Sequence, residues 1–506
     1  MWAVLSLGGT TDNMQLNKPF SAMQTERMTE RTDLITPAGA THRHDPSPQM
    51  YVGKRVHMVG IGGAGMEALA ALLLRWGAVV SGSDQACGEA TDRLVRAGAT
   101  VHIGHAAGHL PEQAELVVAS AAVPADNSEL TAARQRGTSV LSYAQMLGEA
   151  MRLKSGIAVA GTHGKSTTTA LTAFLLREAG LDPSFVVGAR VDQLGGGSAA
   201  GEGQHFVAEA CEYQKSFLHL RPRYAVILNI EEDHLDYYSG LDQIVEAFAD
   251  FADTCSPNGL VVAHGDDPTV RQALEGKSCT VETFGLGKNV VWQAVNVRDR
   301  QGYYAFDLLR HGGKVLSTQL GIPGRHNVLN ASAAAAVAWQ CGVGPEAIAD
   351  GLSRFGGVSR RLSLRGQGRG IVVADDYAHH PTEIRATLEA ARQAYRPARL
   401  WAIFQPHQHS RTRFLLEQFA SSFSGADIVI VPDIYFVRDS EQERATICAA
   451  DLVARLCRHG REARYCESFD AIVAFVKHES REGDLILTMG AGDIWKVADE
   501  LVCWLG

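Results

Sequence analysis

The sequence predicts an α/β protein of three domains, each built on a mainly parallel sheet. They are a Rossmann-like N-terminal domain, a P-loop ATPase-like central domain and a Rossmann-like C-terminal domain. Three observations carry this reading. Short β-branched runs alternate with helical patterns along most of the chain, as parallel strands covered by crossover helices require. Two glycine-rich turns, at 60–65 and 161–167, each stand between an apolar run and a helical pattern. The length of 506 residues suits about three domains of ordinary size.

Composition narrows the function classes. Hydrophobic residues make up 46% and charged residues 20%, the balance of a soluble globular protein. A net charge of -9 argues against a general nucleic-acid binder, which needs a basic face, but leaves room for small anionic substrates. Nine cysteines without a Cys-x-x-Cys pair or a convincing secretory segment read as reduced core thiols of a cytoplasmic protein. The apolar opening at 1–7 is too short for a membrane span and lacks the basic flank of a signal peptide. Residues 1–50 are polar and aperiodic, and read as a disordered extension. Domains are expected at 51–154, 155–355 and 356–506, with hinges near Lys154 and Phe355, where glycine and basic residues interrupt the periodicity.

In the first unit, strands are expected at 55–59, 78–81 and 116–119. The turn Gly60-Ile61-Gly62-Gly63-Ala64-Gly65 follows the first of them and satisfies G-x-G-x-x-G. Asp84 stands at the end of the next strand. Glycines there let a pyrophosphate approach a helix N-terminus, so a nicotinamide dehydrogenase is the first guess for this unit alone. The second phosphate loop favours an ATP enzyme with a nucleotide-sugar substrate.

In the second unit, strands are expected at 157–160, 206–209, 225–229 and 260–263. The first ends in Gly161-Thr162-His163-Gly164-Lys165-Ser166-Thr167. Backbone N–H groups of such a loop hold phosphate oxygens, the lysine adds charge, and the hydroxyl after it ligates Mg²⁺. Val159 stands where the longer loop pattern has its first glycine. Glu209, Glu212 and His234 lie at or just after strand ends, where ligands of a catalytic divalent ion belong. A loop histidine and a solvated acidic turn at 231–233 are the bland alternatives. The stretch 195–203 is Gly/Ser-rich and reads as a mobile loop, and 284–320 as a small antiparallel excursion. Asn327 and Asn330, at the start of an Ala-rich helix, either cap it or read an adenine edge.

In the third unit, strands are expected at 371–374, 400–404, 428–431 and 485–488, with a helix at 383–395. Two strand-end loops carry Tyr377, His379, His380, His407, His409 and Arg411. Four histidines there suggest zinc, but no cysteine or spaced carboxylate completes a tetrahedral set. Recognition of a zwitterion or of phosphates fits these loops better.

Taken together the motifs resemble the Mur ligase family. The matching stretches are 60–66, 161–167, Glu209 with 216–218, 229–234, 324–327, 357–361, 375–383 and 490–493, in the family's order over residues 51–506. The resemblance implies a cytoplasmic ligase of peptidoglycan precursor synthesis, a monomer or weak homodimer with no nucleic-acid partner and no membrane insertion. Its reaction would be ATP-dependent amide formation between UDP-N-acetylmuramate and L-alanine, with Mg²⁺ as cofactor. The catalytic set implied is Lys165, Glu209, His234 and Arg360, with Ser166, Glu209 and His234 on metal. ATP would meet Gly161, Thr162, His163, Gly164, Lys165, Ser166 and Thr167, and also His326, Asn327 and Asn330. The UDP-sugar would meet Gly62, Gly63, Ala64, Gly65, Asp84 and Ser120, and the amino acid Tyr377, His379, His407 and Arg411. Two departures stand out. Cys211 and Tyr213 replace an aspartate and a serine, and Gln408 replaces an arginine beside the amino-acid residues. A family member that reattaches recycled murein tripeptide, a dehydrogenase, and a nucleotide-binding regulator without chemistry are the competing readings.

Overall fold

The computed structural model describes residues 47–437 and 439–506. Five parallel strands form the first sheet, in the order Thr100–Ile103, Val79–Asp84, Arg55–Val59, Leu116–Ala119, Ser139–Ser142. The chain turns back on both sides of Arg55–Val59, so the carboxyl end of that strand opens on a switch crevice. The glycine-rich turn lies there and leads into helix Ala64–Arg75.

The second sheet has ten strands. Its parallel part runs Thr280–Gly285, Leu260–His264, Tyr224–Ile227, Ser155–Ala160, His205–Glu209, Ser184–Val191. An antiparallel meander of Trp292–Arg300, Tyr303–Arg310 and Gly313–Pro323 extends one edge, and Gly196–Ala199 closes the other. Alternate residues of Ser155–Ala160 serve different cores. Ile157 and Val159 pack with helices Lys165–Glu178 and His326–Gln340, while Ala158 and Ala160 face a core shared with the first sheet. Both faces are therefore apolar, which is why the strand reads as a continuous run.

The third sheet runs Ser363–Gly368, Ile371–Asp376, Asp484–Met489, Arg399–Phe404, Ile428–Val431, Glu462–Tyr465, and only the first pairing is antiparallel. Apolar clusters cover both of its faces.

Several expectations are corrected. The stretch 195–203 is not a free loop throughout, because Gly196–Ala199 pairs with Ser184–Val191. The antiparallel excursion begins at Trp292, and Phe284 belongs to the parallel strand before it. The expectation for 1–46 lies outside the described residues. Just after them, Pro48–Tyr51 forms a 3-10 turn whose Tyr51 is buried and stacks on Trp76 at 5.7 Å. The nine cysteines are unpaired, but five are exposed and four half-buried, so they are not core thiols. Among the described residues no helix is long and apolar enough to cross a membrane.

Candidate functional site

Strand Ser155–Ala160 delivers residues 161–164 to the carboxyl edge of the central sheet. Gly164 has φ +82°, and a Cβ there would stand 2.5 Å from Asn330 Oδ1. Only glycine fits between the loop and helix His326–Gln340. Helix Lys165–Glu178 follows at once, so its unpaired N–H groups face the loop. Asn229 clamps this turn: its Oδ1 accepts from the His163 N–H at 2.7 Å and its Nδ2 donates to the His163 carbonyl at 3.1 Å. The Glu231 N–H donates to Thr162 Oγ1 at 2.9 Å. Sequence reasoning gave Asn229 no role, although an amide at the end of an apolar strand was the available signal.

Lys165 Nζ lies 2.9 Å from Glu212 Oε1 and donates to the carbonyls of Gly161 at 2.5 Å and Thr162 at 3.1 Å. Burial alone would lower the pKa of this ammonium, but Glu212 holds it above its usual value. Burial would raise Glu212, yet Lys165 and His234 hold it below the usual carboxylate value. His234 Nε2 stands 3.6 Å from Glu212 Oε1, and its ring lies 4.8 Å from Tyr213.

Glu209 does not join this group. Its Oε1 accepts the Gly188 N–H at 2.5 Å. The chain runs on from Glu209 into the turn Tyr213–His219, where Gln214 and Lys215 adopt positive φ, and Glu212 comes to face the lysine. Glu212, not Glu209, is the carboxylate beside Lys165 and His234. The residues fit a divalent cation, since Glu212 Oε2 and His234 Nδ1 are buried without a hydrogen-bond partner. Carboxylate oxygens and the Ser166 hydroxyl suit Mg²⁺, whereas an imidazole suits a softer ion better.

Beside the loop a cavity of about 300 Å³ opens between the central and C-terminal units. His163, Thr167, His326 and Asn327 line one wall, and Arg361, Thr382 and Glu383 the other. His264, stacked on Phe284 at 5.3 Å, also lines it and was not anticipated. Burial, then Arg361, pushes His326 down to about 4, so it is neutral near pH 7. Asn327 does not cap its helix: the N-cap is Arg325, and Asn327 donates to the Pro323 carbonyl at 2.7 Å and accepts from Asn330 at 2.9 Å. Arg360 points away from the cavity. Its guanidinium bonds Asp375 at 2.9 Å and the carbonyls of Gly490 and Gly492 at 2.7 and 3.1 Å, tying the C-terminal unit together. Its neighbour Arg361 lines the cavity instead.

The expected amino-acid residues do come together. Tyr377 and His379 lie 5.3 Å apart, His379 and His407 6.2 Å, and Arg411 Nη1 is 3.3 Å from His407 Nδ1. Tyr435, unanticipated, stacks on His407 at 5.4 Å. Arg411 is not open, however. Its Nε and Nη2 both donate to Asp233 Oδ1 of the central unit, at 3.0 and 2.7 Å. Burial opposes this ionised carboxylate, but Arg411 holds it well below its usual pKa. In the N-terminal unit the turn at 62–65 and Ser120 both follow strands of the first sheet. The Gly62 N–H donates to Asp84 Oδ2 at 2.8 Å, and Gly63 caps the helix that Ala64 and Gly65 begin. A Cβ on Gly65 would meet the Tyr143 ring at 2.8 Å.

Comparison with known proteins agrees with this layout. Residues 55–155 match the Mur ligase family catalytic domain, 159–338 the Mur ligase middle domain, and 360–492 the Mur ligase glutamate ligase domain. UDP-N-acetylmuramate–L-alanine ligase of Acetivibrio thermocellus is 42% identical over 449 residues, covering 88% of this chain and 95% of that one. The enzyme of the same name from Pelotomaculum thermopropionicum is 44% identical over 451 residues, covering 89% and 97%. Among solved structures, UDP-N-acetylmuramate–alanine ligase of Thermotoga maritima superposes with a TM-score of 0.75 at 28% identity, covering 89% of this chain and 98% of that one. A murein peptide ligase from Psychrobacter arcticus gives 0.67 at 27% identity, covering 90% and 99%.

Proposed function

Because the chain belongs to the Mur ligase family, we propose that it joins L-alanine to the lactyl carboxylate of UDP-N-acetylmuramate with ATP, in cytoplasmic peptidoglycan precursor synthesis. The observation that carries the chemistry is the meeting of Lys165, Glu212 and His234 beside a cavity walled by two units. The choice of substrates rests on near full-length relatives named for that reaction.

A carboxylate is a poor acyl donor, so its oxygen first attacks the γ-phosphorus of ATP. The bond to ADP breaks and an acyl phosphate forms. The free amine of L-alanine then attacks the acyl carbon, phosphate leaves, and the nitrogen sheds its proton to solvent. Both reactants of the first step are anions, so catalysis rests on positioning and charge neutralisation. Lys165 would hold the β- and γ-phosphates, with the N–H groups of 161–167 around them. Ser166, Glu212 and His234 would hold Mg²⁺, which supplies neutralising charge when bound. His326, Asn327 and Asn330 would face the adenine, and Gly62–Gly65 with Asp84 and Ser120 the UDP group. Tyr377, His379 and His407 would surround the amino acid, whose carboxylate would pair with Arg411. For that pairing Arg411 has to share or exchange Asp233.

Thermal denaturation with single ligands tests the substrate assignment. UDP-N-acetylmuramate is expected to raise Tm and NADH to leave it unchanged. Stabilisation by NADH alone would return the N-terminal unit to the dehydrogenase class.

A further inference from the structure

We propose that His163, Glu231 and His380 form a binding site for a zinc-class divalent ion that ties the phosphate loop to the C-terminal unit. One ligand atom from each residue lies within 4.8 Å of the other two. Glu231 Oε2 stands 3.5 Å from His163 Nε2 and 3.9 Å from His380 Nδ1. Donors around a tetrahedral zinc stand about 3.4 Å apart at ordinary bond lengths, so the Glu231–His163 pair stands near that spacing and His380 has to move inward to complete the set. Two imidazoles and one carboxylate are the donors of an open zinc site, whose fourth position takes water or a substrate oxygen.

The surrounding groups orient these donors. His380 Nε2 meets the Glu232 carbonyl at 3.1 Å, which leaves Nδ1 to face Glu231. Glu383 Oε1 lies 3.2 Å from His163 Nδ1, which leaves Nε2 to face the same carboxylate. Thr382 Oγ1 donates to Glu231 Oε2 at 2.6 Å. Carbonyl and carboxylate partners on the far ring nitrogens are the outer shell that metal-binding histidines carry. The Thr382 N–H reaches His380 Nδ1 at 3.3 Å, and the ion replaces that long bond. An ion bound at His163 Nε2 displaces any proton on that nitrogen to solvent, while Nδ1 keeps its proton toward Glu383. This set shares no residue with Lys165, Glu212 and His234, and it does not depend on the ligase reading. His163 and Glu231 also line the nucleotide cavity, so a bound ion would hold the two units closed over it.

The test titrates the metal-free full chain with Zn²⁺ against a chromophoric chelator. One ion per chain is expected to bind, with His163→Gln and His380→Asn each weakening it at least ten-fold. His380→Asn keeps a polar N-cap for helix Pro381–Tyr395, and a melting curve checks that each variant is folded. Glu383→Gln, outside the ligand set, is expected to weaken binding roughly 10–100-fold. Absence of stoichiometric binding in the wild type would overturn the proposal. So would binding that survives both histidine variants, or that is lost only with Glu212→Gln and His234→Gln.

Discussion

Glu212 shares one carboxylate oxygen between a lysine and a histidine and leaves the other unpaired in a buried pocket. Removing its charge strands the Lys165 ammonium and takes away a cation ligand together. Glu212→Gln is therefore expected to slow phosphate release by roughly two to three powers of ten. Glu209→Gln, which disturbs one hydrogen bond to Gly188, should cost far less, and a larger loss there would reverse the assignment. The sequence alone could not separate these two glutamates. Glu209 ends the apolar strand and Glu212 follows three residues later, and only their partners, Gly188 for one and Lys165 with His234 for the other, tell them apart. The pairing of Arg411 with Asp233 was equally illegible, because it joins residues 178 positions apart across two units.

At the scale of elements, the phosphate loop depends on a left-handed glycine pressed against the helix that carries Asn330. Gly180 has a similar φ of +75° but open space around its Cβ position. Gly164→Ala and Gly180→Ala thus share a backbone strain of about 1 kcal/mol or somewhat more. Gly164→Ala should lower Tm further and also weaken ATP binding, while Gly180→Ala leaves ATP binding intact. Equal melting shifts with equal ATP affinity would mean that Asn330 yields to the added methyl. The central strands were legible because both faces are buried and their runs are apolar, as at 157–160 and 428–431. Edge strands such as Ser139–Ser142, Glu462–Tyr465 and Gly196–Ala199 were not, since their polar or glycine-rich residues are half-exposed and paired on one side only. The helix at 381–395 was found nearly to its ends, because an apolar stripe at Ile384, Leu388 and Ala391 meets the core.

At the scale of the molecule, the three candidate subsites follow strand ends in three successive sheets, and the reaction needs them to act together. Asp233 with Arg411, and Glu231 with Thr382, already bridge the central and C-terminal units. On the proposed reading this assembly activates one carboxylate with ATP and passes it to one small amino acid. The decisive assay is phosphate release from ATP, with Mg²⁺ and UDP-N-acetylmuramate, measured against a panel of amino acids and the murein tripeptide. The expected result is release that requires the UDP-sugar and is fastest with L-alanine. Glycine and L-serine should trail, since one small group changes such a pocket's preference by only about 1–3 kcal/mol. Faster release with the tripeptide, or release indifferent to the UDP-sugar, would contradict it.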